Sequence, residues 1–117
     1  MKQVVCRQDE LRPGQMRTIM KGPAPVVVIC SGENKYYAVR GVCPHQGGML
    51  GTGQLTSLTV SDEPGRYELV KNGEVLRCPW HSFDYDVTTG RCVGDPRLRV
   101  KTYPVCVEDG HVVVDLG

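Results

Sequence analysis

The sequence predicts an all-β, antiparallel domain, and three observations support that fold class. Its 14 glycines and eight prolines are spread so evenly that helices have little room. The runs between these residues are short and rich in Val, Thr, Tyr and Leu, which favour strands. Two dipeptides, Asn72-Gly73 and Asp109-Gly110, each join two such runs and suit the type I′ turn of a tight hairpin.

The expected elements follow from where these runs begin and end. At most one helical turn is expected, around Asp9–Leu11. In the run Arg97–Lys101, alternation places Leu98 and Val100 on one face and three basic residues on the other. That basic face is either simply solvated or a docking surface for an acidic partner. The predicted strands are, in chain order, Gln3–Arg7, Pro25–Ser31, Lys35–Arg40, Tyr67–Lys71, Glu74–Arg77, Asp84–Asp86, Arg97–Lys101, Val105–Glu108 and His111–Asp115.

Length and charge restrict the class of protein. A chain of 117 residues with a net charge of +1 is expected to form one domain, residues 1–117. Charges of both signs are interspersed, so neither nucleic acid nor an anionic membrane is an expected partner. The first ten residues lack a secretory signal, and the longest apolar run, Ala24–Cys30, is too short to span a bilayer. We therefore expect a soluble cytoplasmic protein.

The six cysteines divide into two groups. Without an export signal, reduced thiols or metal ligands are favoured over disulfides. Cys43 and Cys78 each have a histidine at a spacing typical of metal ligands. The remaining cysteines, most of which lie among valines and isoleucine, are expected to be small buried hydrophobes: Cys6, Cys30, Cys92 and Cys106.

Two short segments carry the candidate metal ligands. "VCPHQGG", residues 42–48, contains Cys43-x-His45, and "RCPWHSFDYD", residues 77–86, contains Cys78-x-x-His81. Two thiolates and two imidazoles suit either a structural Zn²⁺ or a [2Fe–2S] cluster with the cysteines on one iron and the histidines on the other. Zinc fingers pair Cys with Cys and His with His, whereas each loop here carries one of each. The mixed spacing favours the cluster, and zinc is the alternative.

The two segments resemble the Rieske [2Fe–2S] proteins, whose motif is C-x-H followed, after a spacer, by C-x-x-H. The resemblance is strongest from Val42 to Asp95. It implies an antiparallel β-sandwich with one cluster bound at a two-loop tip. It also implies that Cys43 and Cys78 hold the inner iron, that His45 and His81 hold the outer one, and that the proline-bearing "GDPRL", residues 94–98, forms a third loop beside them.

Two departures from the family pattern refine the resemblance. Gly48 and Trp80 stand where respiratory members carry a disulfide-forming pair of cysteines, so this chain resembles the ferredoxin and oxygenase branch. The spacer between the motifs is also longer than that branch usually has. We place the excess in residues Gln54–Gly65, as a tolerated surface insertion or, less favoured, a partner-docking flap.

The ligand set also predicts the redox behaviour. Two neutral imidazoles leave the oxidised centre formally uncharged, which makes it easier to reduce than a four-thiolate centre. The resemblance implies that hydroxyl donors raise the potential further, and here Phe83 has none to offer. Tyr85 is either such a donor or a core aromatic. We expect roughly −150 to 0 mV, falling with pH once the oxidised form's histidines deprotonate.

The histidine count excludes an oxygenase. A mononuclear iron needs two histidines and a carboxylate, and only His111 remains outside the motifs. No glycine-rich nucleotide-binding loop is present either. The chain is therefore expected to be no enzyme and to bind no small-molecule substrate, but to carry single electrons from a flavin-dependent NAD(P)H reductase to a terminal oxygenase. The alternatives are a small subunit of a fixed redox complex, such as nitrite reductase, and a zinc-stabilised binding module.

Overall fold

The computed structural model describes residues 1–42, 50, 53–63, 66–78, 84–95 and 97–117, without the side chains of residues 54, 56–63 and 66–73. Within these ranges the chain is built almost entirely of strands, with a single 3₁₀ turn at Gln8–Glu10, close to the predicted helical turn. The strands are β1 (Lys2–Arg7), β2 (Met16–Lys21), β3 (Ala24–Cys30), β4 (Tyr36–Arg40), β5 (Gln54–Glu63), β6 (Arg66–Arg77), β7 (Asp84–Asp86), β8 (Thr102–Tyr103), β9 (Val105–Glu108) and β10 (His111–Asp115).

The strands form three antiparallel sheets, ordered β1-β10-β9, β2-β3-β4-β8 and β5-β6-β7. The four-stranded sheet lies between two cores because β3 is buried on both faces. Val27 and Ile29 pack in the core that includes residues of β6 and β7, whereas Val26 and Val28 pack in the core that includes residues of β1 and β10. A strand covered on both faces is expected to be apolar throughout, as "APVVVIC" is. The all-β antiparallel sandwich predicted from the sequence is confirmed.

The hairpin between β9 and β10 confirms the predicted type I′ turn. Asp109 and Gly110 both have positive φ angles, 51° and 76°, as this turn requires. The strands pair from His111 opposite Glu108 onward.

The other predicted hairpin turn, at Asn72-Gly73, is wrong. These residues lie inside the continuous strand β6. The pairing moves from Thr56 opposite Val75 to Leu58 opposite Val70, so the extra residues of β6 form a bulge there. Bulges accommodate glycine as readily as tight turns do, which is why the dipeptide alone could not distinguish the two.

Residues Gln54–Glu63, where we place the extra length of the spacer, form strand β5. They pair along β6 from Gln54 opposite Arg77 to Glu63 opposite Arg66, and residues 64–65 lie outside the described residues. Neither this strand nor β2 was predicted from the sequence, and the polar residues Arg17 and Thr18 of β2 are exposed. Outward-facing polar residues are common on antiparallel strands that have one solvent-exposed face.

Two smaller predictions are also wrong. Arg97–Lys101 forms no strand of its own, and only an isolated bridge joins Arg99 to Arg91. The predicted alternation of burial does hold, with Val100 buried and Leu98 half-buried. Cys106 is exposed, because it lies on β9, all of whose residues after Val105 are exposed. Its apolar neighbours in the sequence could not indicate which face of the sheet it occupies.

Candidate metal centre

The first ligand-bearing loop leaves the central sheet at the end of β4 and returns at Leu50. The Leu50 N–H donates to the Gly41 carbonyl over 2.8 Å, and the Gly41 N–H donates to the Pro25 carbonyl over 2.8 Å. The Leu50 side chain is completely buried. Both ends of the loop are therefore fixed to the fold, although residues 43–49, including Cys43 and His45, lie outside the described residues.

The second ligand-bearing loop connects β6 to β7 and is also closed at its base. Arg77, the last residue of β6, is opposite Asp84, the first of β7. The guanidinium of Arg77 donates to both carboxylate oxygens of Asp84, over 2.9 and 3.3 Å, and this hydrogen bond raises the pKa of Arg77. We call this ion pair the Arg77–Asp84 clamp. Cys78, the residue after Arg77, is 1% exposed and belongs to the same buried cluster as Leu50. His81 and its neighbours, residues 79–83, lie outside the described residues.

The two loops are held side by side by a close backbone contact. Gln54, at the start of β5, is opposite Arg77, so the chain returning from the first loop runs beside the start of the second. At Gly53 a β-carbon would overlap the carbonyl oxygen of Arg77 and lie 3.1 Å from that of Leu50. Glycine is required here because two backbones approach each other. Neither Gly53 nor the Arg77–Asp84 clamp was singled out by the sequence analysis, although a glycine just before an alternating run is a signal that could have indicated a close approach.

The third loop, predicted at residues 94–98, lies beside the second. The Val93 N–H donates to the Asp84 carbonyl over 2.7 Å, and the Cys92 N–H donates to the Leu98 carbonyl over 2.9 Å. Asp95 accepts hydrogen bonds from the backbone and the guanidinium of Arg97 at 3.1 Å. This third loop is therefore anchored to β7, with Pro96 outside the described residues.

Tyr85 on β7 is a core aromatic. Its side chain is completely inaccessible to solvent and packs in the same buried cluster as Cys78. No buried side-chain nitrogen or oxygen in the described part of the chain lacks a hydrogen-bond partner. The core interpretation is confirmed, and donation from Tyr85 to a cysteine sulfur stays a prediction.

The chemistry of this region fits a cluster held from two sides. A buried thiol, Cys78, stands at the mouth of one loop, and the base of the other loop is fixed within the same core. A fully buried thiolate would be unstable without a cation beside it, and a metal centre supplies that charge. Cys43, His45, Cys78 and His81 all remain predicted ligands. The tuning and disulfide positions Gly48, Trp80 and Phe83 lie outside the described residues.

The remaining thiols and His111 lie elsewhere. Burial raises the pKa of Cys6 and of Cys30, so both stay protonated and inert at neutral pH. Cys92 is buried as predicted. His111 follows the β9–β10 turn, with Nδ1 3.0 Å from the Asp109 carbonyl oxygen, and it belongs to a different sheet from the ligand loops.

The chain belongs to the Rieske [2Fe–2S] domain family, whose model matches residues 1–104. The match includes both ligand-bearing loops, the third loop and the strands that anchor them. It implies a Rieske-type iron–sulfur cluster in this protein. Separately, the described residues include no helix long and apolar enough to cross a membrane.

Within the family, the chain is similar to ferredoxin components of oxygenase systems. The ferredoxin component of the alkene monooxygenase system of Xanthobacter autotrophicus is 29% identical over 110 residues, covering 94% of this chain and 77% of that protein. The ferredoxin component of biphenyl 2,3-dioxygenase from Rhodococcus jostii is 26% identical over 113 residues, covering 96% of this chain and 90% of that protein.

Solved structures give the same fold. A chain in the complex of reduced oxygenase and oxidised ferredoxin of carbazole 1,9a-dioxygenase matches with a TM-score of 0.75 at 25% identity, covering 97% of this chain and 91% of that one. A putative NADH-dependent nitrite reductase small subunit from Mycobacterium tuberculosis has the same TM-score, 0.75, at 23% identity, covering 97% of this chain and 93% of that one. The second likeness concerns the fold alone.

Proposed function

We propose that this protein is a Rieske-type ferredoxin, a one-electron carrier and not itself an enzyme. The observation that carries the proposal is the joining of two Cys- and His-bearing loops at their bases, through Gly53 and the Arg77–Asp84 clamp, in a member of the Rieske family. Two loops fixed in this way can hold a cluster with little structural change when its charge changes by one. Because little has to rearrange, electron exchange can be fast.

One [2Fe–2S] cluster per chain would be held by Cys43 and Cys78 on one iron and by His45 and His81 on the other. When bound, the cluster accepts and releases a single electron at a potential set by its ligands and their hydrogen bonds. The protein's own part is structural. Cys78 and Tyr85 belong to a core that keeps water from the cysteine side of the site, and the Leu50–Gly41 hydrogen bond fixes the first loop.

Two protein partners follow from this role. A flavin-dependent NAD(P)H reductase would reduce the protein, and a terminal oxygenase would oxidise it. The names of the relatives support the oxygenase as a partner, and so does the solved complex of a similar ferredoxin with its oxygenase. We propose that the chain forms a single domain over residues 1–117 and acts in the cytoplasm, where its cysteine thiols stay reduced.

A second candidate is a small subunit fixed within a redox complex such as nitrite reductase. Its support is the fold likeness to a nitrite reductase small subunit. The two candidates differ in how the protein behaves in solution, because a shuttle must dissociate from its partners between electron transfers and a fixed subunit does not.

The test is low-temperature EPR of the dithionite-reduced protein, with iron and acid-labile sulfide assayed on the same sample. We expect equal iron and sulfide and a rhombic signal with nitrogen hyperfine coupling from the imidazoles. A colourless protein with one zinc per chain would refute electron transfer. Purification from its own host in a stoichiometric complex that survives gel filtration would favour the fixed subunit over the shuttle.

A further inference from the structure

Four exposed cations form a continuous strip at the end of the molecule that bears the ligand loops. We name Arg40, Arg91, Arg99 and Lys101 the basic strip; all four are exposed. They come from three separate segments of the chain. Their proximity is therefore a product of strand pairing.

The strand register places the four side chains next to one another. Ala38 is opposite Tyr103 and Val39 is opposite Thr102. The same register continues to Arg40 and Lys101, where the Arg40 N–H donates to the Lys101 carbonyl over 2.8 Å.

On the far side of Lys101, Arg99 follows the alternation of the chain and is bridged to Arg91. The intervening residues Val39, Cys92 and Val100 point into the core beside β6 and β7. Because alternate residues of extended chain point to opposite faces, the four cations share the other face.

This arrangement is unfavourable for the isolated protein. Like charges directly opposite each other on neighbouring strands are destabilising, and the strip contains two such pairs. Within the described part of the chain none of the four forms an ion pair, whereas nearby Arg77 and Arg97 are paired with carboxylates. A repulsive arrangement of this kind has a physical rationale if a partner supplies the missing negative charge.

The strip is also close to the predicted ligand loops. Arg40 precedes Cys43 by three residues, which span at most about 11 Å. At the other end of β4, a groove of about 530 Å³ is lined by charges of both signs, Arg7 and Arg12 together with Asp9 and Asp109. Arg40, Arg91 and Arg99 therefore place positive charge beside the predicted ligand loops, and Lys101 lies over the Tyr103 ring at 5.2 Å and lines one groove with Asp115.

We propose that the basic strip docks this protein on an acidic face of the terminal oxygenase that accepts its electron. The proposal rests on the proposed function, since it assumes that electrons leave at the ligand loops. The oxygenase is favoured over the reductase because the similar solved complex joins a ferredoxin to an oxygenase. Four charges on a chain of net charge +1 suit the steering of a protein partner more than they suit nucleic acid.

The strip can be tested first with a small anionic oxidant. The variant is Arg91→Gln/Arg99→Gln, and the matched control is Arg12→Gln/Lys35→Gln, which removes two exposed charges at the opposite end of β4. Stopped-flow mixing of the reduced protein with ferricyanide transfers one electron from the cluster to form ferrocyanide. For a trianion approaching to about 15 Å at 10 mM ionic strength, the strip variant should react about fivefold more slowly, and the control should change by less than about 1.5-fold.

The difference between strip variant and control should vanish above about 0.5 M salt, where the Debye length is only a few ångströms. Folding is checked independently of electron transfer. Because the variant removes a like-charge pair, its melting temperature should equal or exceed that of the wild type, and its visible absorbance should be unchanged. Equal ferricyanide rates in variant and control would overturn the strip as an electrostatic guide, even if EPR had established the cluster.

The partner assignment is tested with the purified oxygenase and reductase of the same system. In the strip variant the KM of the oxygenase for the reduced protein should rise at least fivefold at low salt, with little change in kcat. A rise in KM with the reductase alone would overturn the assignment to the oxygenase. An unchanged KM with both partners would overturn it as well. Retention of a DNA duplex by the wild type and not by the variant would overturn a protein partner altogether.

Discussion

Gly53 provides the sharpest test of how the two ligand loops are held together. In the substitution Gly53→Ala the new methyl group would lie closer to the Arg77 carbonyl oxygen than the 3.0 Å that β-carbons respect, and 3.1 Å from the Leu50 carbonyl oxygen. Both neighbours are backbone atoms. Neither can rotate away, so β5 and β6 must separate locally.

The magnitude follows from the cost of forcing an extra methyl group into a packed site, about 2–3 kcal/mol where backbone must move. At about 2.1 cal/mol/K per residue, the unfolding entropy of this 117-residue chain is about 0.25 kcal/mol/K, so the melting temperature should fall by about 8–12 °C. The visible absorbance of the cluster should be lost at a lower temperature than in the wild type, because the loops that hold it are pushed apart.

The control is Gly94→Ala in the third loop. A β-carbon at Gly94 would meet no atom within 4 Å, so its melting temperature should stay within about 2 °C of the wild type. Both variants are measured by circular dichroism and by visible absorbance on heating. If Gly53→Ala and Gly94→Ala had the same melting temperature, the close backbone contact would not be what joins the two loops.

Three further predictions concern the ligands, a half-buried tyrosine and the reduction potential. Cys78→Ser should lose iron, sulfide and visible absorbance, whereas Cys106→Ser, at an exposed thiol, should retain all three; retention in both would remove Cys78 from the ligand set. Burial and the hydrogen bond to Glu74, 2.9 Å long, raise the pKa of Tyr37 to about 12. Because the folded-state pKa is raised, the stability that the Tyr37 proton contributes is complete below about pH 10 and is lost as pH rises toward about 12. Tyr37→Phe should therefore cost about 1 kcal/mol at neutral pH and should flatten the alkaline fall in the urea midpoint, whereas an unchanged slope would contradict the shift. Potentiometric titration should give roughly −150 to 0 mV, falling at alkaline pH, and a value well above that range would refute the tuning argument from Phe83.

The sequence was informative wherever chemistry is local. Cys43-x-His45 and Cys78-x-x-His81 indicate a mixed-ligand metal centre because ligand types and spacing are properties of a few consecutive residues. The Asp109-Gly110 hairpin was predicted correctly for the same reason, since a type I′ turn depends on the two residues that adopt positive φ.

The sequence was misleading where the local structure depends on how strands far apart in the chain pair and pack. Asn72-Gly73 suits a turn by its residue types, but whether it forms one depends on which register gives β5 and β6 the more complete pairing. Cys106 illustrates the same limit, because its exposure is decided by which face of β9 is covered.

The sequence by itself therefore indicated the fold class and the family, and it predicted a ligand set. Tertiary structure alone decided that Gly53 touches Arg77, that Asp84 closes the second loop, and that the basic strip is continuous. Contacts between residues far apart in the chain depend on strand register, and register is set by the packing of whole sheets. A pattern of neighbouring residues carries too little information to fix that packing.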